Sequence, residues 1–181
     1  MIEMYPGIKI YDNVFSEKEQ KIIYENCLGA PYTIGWSDTP NSTESYFHCG
    51  LGLDSWQNRD YDKDLTKFLT TLENSQPYQK NINKILDKTV INCDTIADSH
   101  TLHDHKNQEV ILYYACLDWQ DGWGGETFFY NKEGKDIIYT SPYTPNRMIV
   151  FDGELLHRFN GPTIAGPKFR FSISTFFWKN A

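Results

Sequence analysis

The pattern of apolar and polar positions changes near residue 89. Before it, two stretches repeat apolar residues at helical spacing. In "SEKEQKIIYENCLG", Ser16 stands three residues before Glu19, the spacing of a capping box, and Gly29 can close the helix. Ile22, Ile23 and Cys27 make its apolar stripe. In "DLTKFLTTL", Leu65, Phe68, Leu69 and Leu72 fall on one face. Both helices are expected to cover one face of a sheet. Between them "SDTPNSTESYFHCGLGLDSW" is polar and contains glycine, so it reads as a loop or a loose hairpin. From residue 89 onward the runs are β-branched or aromatic: "KTVINCDTI", "EVILYYACL", "GETFFY", "DIIYTSPY", "RMIVFD" and "KFRFSISTFFW". Turn chemistry separates them, in "DGWGG", "NKEGK", "TPN" and "NGPTIAGP". The last run alternates Phe169, Phe171, Ile173 and Thr175 with Arg170, Ser172, Ser174 and Phe176. One face is apolar and the other begins with a charge. Many short strands with helices outside them predict a mostly β fold with flanking helices (α+β), a sandwich or jelly roll.

Composition narrows the partners. A chain of 181 residues suits a single domain, 1–181, in which residues 1–88 support a core formed by 89–181. The net charge is −7, which argues against a nucleic-acid or anionic-membrane surface, because phosphate binding needs clustered Lys and Arg. No apolar run is long enough to span a bilayer. The start, "MIEMYPGIKIYD", lacks the basic residues and apolar stretch of a secretory signal, so a cytoplasmic location is expected. Cys27, Cys49, Cys93 and Cys116 are scattered without a CxxC and are expected as reduced thiols. Monomer and homodimer both remain open.

The chemistry concentrates in "HTLHDH", residues 100–105, which holds three of the five histidines. Side chains at i and i+2 on a strand share a face, and i+1 points away. If "LHDH" ends a strand, His103 and His105 converge and Asp104 diverges. His100 is odd-spaced from that pair and is expected in the preceding turn. His157 is a third candidate, 52 residues beyond His105. Two ligands close together and one distant is a common way to assemble a metal site on a jelly roll, and it leaves coordination positions open. Arg170 follows on the last strand. An inward Arg there needs a buried anion, either a bound carboxylate or an internal one in a structural salt bridge.

These segments together resemble the iron(II)/2-oxoglutarate-dependent oxygenases, in the prolyl-4-hydroxylase-like branch, over roughly residues 90–178. "LYYACLDW" followed by "GGETFFY" is similar to that family's strand, acidic turn and GGET segment. "PNRMIVFDGELLHRFNGP" is similar to its second metal-binding strand, and "KFRFSIS" to its cosubstrate strand. The resemblance implies a double-stranded β-helix core, with His157 as the distal metal ligand. It implies Arg170 on the distal carboxylate of 2-oxoglutarate and Tyr114 at a cosubstrate-contacting position, although Tyr114 also reads as core. The family pattern is His-x-Asp (or Glu)…His. The ungapped match places the acid at 105, where this chain has histidine. The implied set is therefore His103, His105 and His157, with a one-residue bulge that turns Asp104 inward as the alternative.

The resemblance implies a non-haem Fe(II)/2-oxoglutarate-dependent dioxygenase. Such an enzyme couples oxidative decarboxylation of 2-oxoglutarate to hydroxylation by O2, with ascorbate as an optional reductant. Peptidyl proline and small molecules are both open as substrates. Replacing the acid with neutral imidazole raises the charge of the metal centre by one unit and strengthens its attraction for an anionic cosubstrate. Three imidazoles also suit Zn or Cu. Binding is expected to fail as pH falls through the histidine range, because a protonated imidazole cannot ligate. Two other readings stand beside this one: a three-histidine metalloenzyme that does not use 2-oxoglutarate, and a catalytically degenerate binding module on the same fold. His100 and His48 read as surface or hydrogen-bonded residues, and Asp152 as a turn residue or a partner of His157. Glu126 reads as a turn residue. The five Trp read as packing, with Trp36 and Trp56 flanking the polar loop.

Overall fold

The computed structural model describes residues 1–36, 46–52, 63–96 and 98–179; the side chains of Trp36, Leu51 and residues 63–66 are outside that description. Trp56, the Leu65 side chain and residues 37–45 of the polar segment therefore lie outside the described residues. In chain order the elements are β1 (Ile2–Tyr5), β2 (Ile8–Tyr11), α1 (Glu17–Gly29), β3 (Thr33–Trp36), β4 (Tyr46–Gly52), α2 (Lys63–Glu73) and α3 (Gln76–Gln79). Then come β5 (Ile85–Thr95), β6 (Gln108–Tyr114), β7 (Thr127–Tyr130), β8 (Ile137–Ser141), β9 (Met148–Asp152), β10 (His157–Phe159) and β11 (Phe169–Trp178). The fold is mostly β with few helices.

Helix α1 starts where the sequence signals it. The Ser16 hydroxyl accepts from the Glu19 N–H, and the Ser16 N–H donates to the Glu19 carboxylate at 2.9 Å, so two orphan donors are satisfied together. Ile23 and Cys27 are buried on its inner stripe, while Ile22 is only half-buried. In α2, Phe68, Leu69 and Leu72 are buried, each contributing about 1.5–3 kcal/mol by leaving water.

Eight strands form one antiparallel sheet in the order β1-β2-β9-β6-β11-β5-β4-β3, and three form a second, β10-β7-β8. The segment read as a loop or loose hairpin contains β4, which pairs with β5 from Phe47 opposite Cys93 to Gly52 opposite Lys88. Its two glycines hide it from a propensity reading; the ladders on both sides hold it. The two faces of β11 go where the alternation directs them. Phe171 and Phe177 meet the helices, with Tyr24 of α1 edge-on to Phe171 and Tyr78 of α3 edge-on to Phe177. Arg170, Ser172, Ser174 and Phe176 face the second sheet. Tyr114 and Phe151 share this inner face and cross to that sheet, at Thr127 and Phe129.

All four cysteines are buried as free thiols. No helix among the described residues is long and apolar enough to cross a membrane.

Candidate metal centre

His103 and His157 are held opposite each other by a two-hydrogen-bond bridge. The His103 N–H donates to the His157 carbonyl at 3.1 Å, and the His157 N–H donates back at 3.0 Å. Directly opposed residues project to the same side, and the two rings lie 4.5 Å apart. The expectation that "LHDH" ends a strand is corrected here. Residues 103–105 form no strand of their own; they precede β6 and are pinned by this bridge. The two-residue alternation still operates, because the extended backbone continues to His105, whose N–H donates to the Gly153 carbonyl at 2.7 Å. Gly153 is required by that approach: a Cβ there would collide with the His105 and Gln108 carbonyl oxygens. The His105 ring comes to 4.9 Å from His103 and 5.1 Å from His157 and packs edge-on to Phe176.

The result is one group of three imidazoles whose ligand atoms all lie within 4.8 Å of one another. Asp104 is not part of it. In His103 the Nδ1 faces the Thr101 carbonyl at 2.8 Å, and in His157 the Nδ1 faces the Leu155 carbonyl at 2.7 Å. A carbonyl only accepts, so each Nδ1 carries the proton and each Nε2 carries the lone pair. This is the second-layer support that metal-ligating histidines use, here built from backbone. Three neutral nitrogens suit a divalent iron, zinc or copper ion, and the set leaves positions open for further ligands.

Burial keeps His105 and His157 neutral. It pushes His105 down to about 3, reinforced by His103 and Lys88 nearby, and holds His157 well below the ordinary histidine range, reinforced by His103 and His105. An unfolded histidine takes up its proton near about 6.5. Unfolding therefore binds protons at any pH between that value and the depressed one. The metal-free protein keeps full stability above about pH 6.5 and loses it as pH falls, by up to about 1.4 kcal/mol per unit for each of the two. Urea midpoints at pH 7 and pH 5 check this, above the carboxylate range. An unchanged midpoint would contradict neutral burial.

A cavity of about 40 Å³ adjoins the three rings, walled mainly by Val90, Val110, Leu112, Phe151, Phe159 and Phe176. Its further polar groups are Asn92 and Ser174, themselves hydrogen-bonded at 3.4 Å. A cavity of about 150 Å³ holds benzene, so this one admits a larger ligand only if side chains move.

Arg170 lies two rows along the same inner face, fully buried. It stands directly opposite Asp94 of β5 and donates from Nη1 to Asp94 Oδ2 at 2.6 Å. It also donates from Nε to the Gly125 carbonyl and from Nη1 to Ser172. Gly125 has φ +82, and a Cβ there would press on the Trp119 ring and on Arg170 at 3.2 Å, which explains the second glycine of "GGET". Asp94 also bonds His100 at 3.0 Å. Burial alone would raise the Asp94 carboxyl; the His100 bond and the Arg170 charge outweigh it and hold the group below its usual range. The Arg170 Nη2 is buried without a hydrogen-bond partner among the described residues.

Tyr114 shares that face beneath the guanidinium, 5.4 Å from it, and its hydroxyl donates to Thr127 at 2.8 Å. His100 is buried between Tyr46 and Phe159, with ring separations of 3.7 and 3.6 Å. Asp152 serves the turn, accepting from the Glu154 N–H at 2.9 Å. His48 is half-buried near Thr33, Glu126 is half-buried in the turn before β7, and Trp119 packs on Tyr143 at 4.2 Å. Sequence reasoning missed Asp94, Asn92 and Gly153. Only the expectation of some internal carboxylate near Arg170 pointed toward the first.

No family model matches the sequence, and no curated protein does. Solved structures do match. A Trichoplax adhaerens prolyl hydroxylase, in complex with a hypoxia inducible factor oxygen degradation domain peptide fragment, gives a TM-score of 0.71 at 13% identity, over 96% of this chain and 84% of that one. A Pseudomonas putida prolyl-4-hydroxylase gives 0.69 at 12% identity, over 97% and 94%. An oxidoreductase of the 2OG-Fe(II) oxygenase family from Burkholderia pseudomallei gives 0.66 at 12%, over 97% and 86%. At these identities the likeness shows the fold: over nearly its whole length, this chain is folded like the prolyl hydroxylases and 2OG-Fe(II) oxygenases.

Proposed function

We propose that the protein is a non-haem Fe(II) dioxygenase that uses 2-oxoglutarate or a related 2-oxo acid as cosubstrate and hydroxylates an organic substrate. The observation that carries this reading is the convergence of His103, His105 and His157 beside an inner-face cavity, on a fold shared with 2OG-Fe(II) oxygenases. The two sheets are compatible with the double-stranded β-helix that the family resemblance implies.

In this reading His103 and His157 ligate through Nε2, oriented by the Thr101 and Leu155 carbonyls, and His105 supplies the third nitrogen in place of a carboxylate. Bound Fe(II) and a 2-oxo acid supply the O2-dependent oxidation, which is the hard chemistry; the protein supplies geometry and electrostatics. The cavity wall beside the ligand nitrogens is mainly apolar. Arg170 is the cationic group on the cosubstrate side, with Tyr114 beneath it. Peptidyl proline and a small molecule both remain candidate substrates, the first because two of the structural neighbours are prolyl hydroxylases.

Anaerobic addition of Fe(II) and then 2-oxoglutarate, followed by visible absorption, tests this. A saturable metal-to-ligand charge-transfer band is expected, and admitting O2 should convert 2-oxoglutarate to succinate. Iron binding with no band would remove the cosubstrate from the reading. A three-histidine metalloenzyme without a 2-oxo acid would then take its place, a reading favoured by the internal pairing of Arg170 and the small cavity.

A further inference from the structure

The inner face carries its charges in an unusual arrangement. Three neutral imidazoles leave a bound divalent ion with its full +2, where a His-x-Asp…His set would leave +1. The carboxylate missing there is present at the other end of the same face. Asp94 sits opposite Arg170 on the adjacent strand, fully buried, and neutralises the guanidinium. His100 holds Asp94 from the other side, and Tyr114, Tyr143 and Phe159 pack around the guanidinium at 5.4, 5.0 and 4.9 Å.

This bears on what can bind between the two ends. The Nη2, unpartnered among the described residues, can donate two more hydrogen bonds. A second carboxylate on it would share one cation with Asp94, and two ionised carboxylates on one cation repel. The cavity wall near the metal centre is apolar apart from Asn92 and Ser174. One end therefore attracts an anion more strongly than usual, and the other offers little to a second anionic group.

Building on the proposed 2-oxo acid chemistry, we infer that the site selects its cosubstrate by the metal-chelating end alone, with Asp94 cancelling selectivity for a distal carboxylate. The cosubstrate class is a short 2-oxo acid, and a monocarboxylate with an uncharged tail binds at least as well as 2-oxoglutarate. Asp94 is the specificity-determining residue.

The test is anaerobic titration of the Fe(II)-loaded full chain with 2-oxoglutarate and with 2-oxopentanoate, which has the same chain length without the distal carboxylate. Dissociation constants come from the charge-transfer band. In the natural sequence the two are expected to agree within about threefold, or 2-oxopentanoate to bind more tightly, and Asp94→Asn is expected to shift the ratio toward 2-oxoglutarate by about tenfold or more. A natural preference for 2-oxoglutarate of about tenfold or more overturns the inference and leaves the 2-oxo acid reading standing. An unchanged ratio in Asp94→Asn also overturns the inference alone. If iron binds but neither compound does, both fall together. The comparison in the natural sequence needs no variant, so it decides the matter even if Asp94→Asn does not fold.

Discussion

Asp94→Ala is expected to lower stability by about 3–5 kcal/mol, because breaking a buried ion pair from one side leaves the other charge uncompensated. For a chain of this size that is a fall in Tm of roughly 10 °C. The residue left behind is Arg170, which is fully buried and packed among three aromatic rings. The Gly125 carbonyl and Ser172 hydroxyl would still accept from it, but neither carries charge. Replacing both partners should cost far less, since an apolar pair of similar volume can match a buried ion pair. Thermal and urea melts of Asp94→Ala and of Asp94→Ala/Arg170→Met check this. A loss below about 1 kcal/mol in the single variant would mean that the pair is not isolated from solvent.

That ion pair also marks the limit of what the sequence discloses. Arg170 was legible as an inward charge, because β11 alternates cleanly between an apolar face and a face that begins with Arg170. Its partner was not, because Asp94 is 76 residues away and becomes a neighbour only through the register of β5 on β11. Local signals served well elsewhere. Ser16 and Glu19 announced α1, and the apolar spacing announced Phe68, Leu69 and Leu72. The β-branched and aromatic runs after residue 89 all became strands. Strand β4 was obscured because "YFHCGLG" alternates poorly and holds two glycines; ladders to β3 and β5 hold it in place. For the histidines, the i,i+2 spacing grouped His103 with His105 correctly in space. The bridge that brings His157 opposite His103, and the glycine that lets His105 approach residue 153, are tertiary facts with no local mark.

The second large effect concerns the metal. His105→Ala is expected to weaken binding of a divalent ion by at least about a hundredfold, because removing even a supporting residue behind a ligand costs 10–100-fold. Asp104→Ala is expected to change it little, because Asp104 lies outside the group of ligand atoms. The sequence left open whether Asp104 or His105 turns inward, and the two variants decide it, because only the substitution of the inward residue weakens binding. The loss in His105→Ala should be an affinity effect with the fold intact, since His105 is only half-buried and its backbone bond to Gly153 survives the substitution. Circular dichroism confirms the fold before the titration is interpreted. The decisive measurement is an anaerobic Fe(II) titration of the natural sequence, His105→Ala and Asp104→Ala side by side. Three-histidine ligation predicts tight one-to-one binding in the first and third and its loss in the second. Loss of binding in Asp104→Ala with retention in His105→Ala would contradict it.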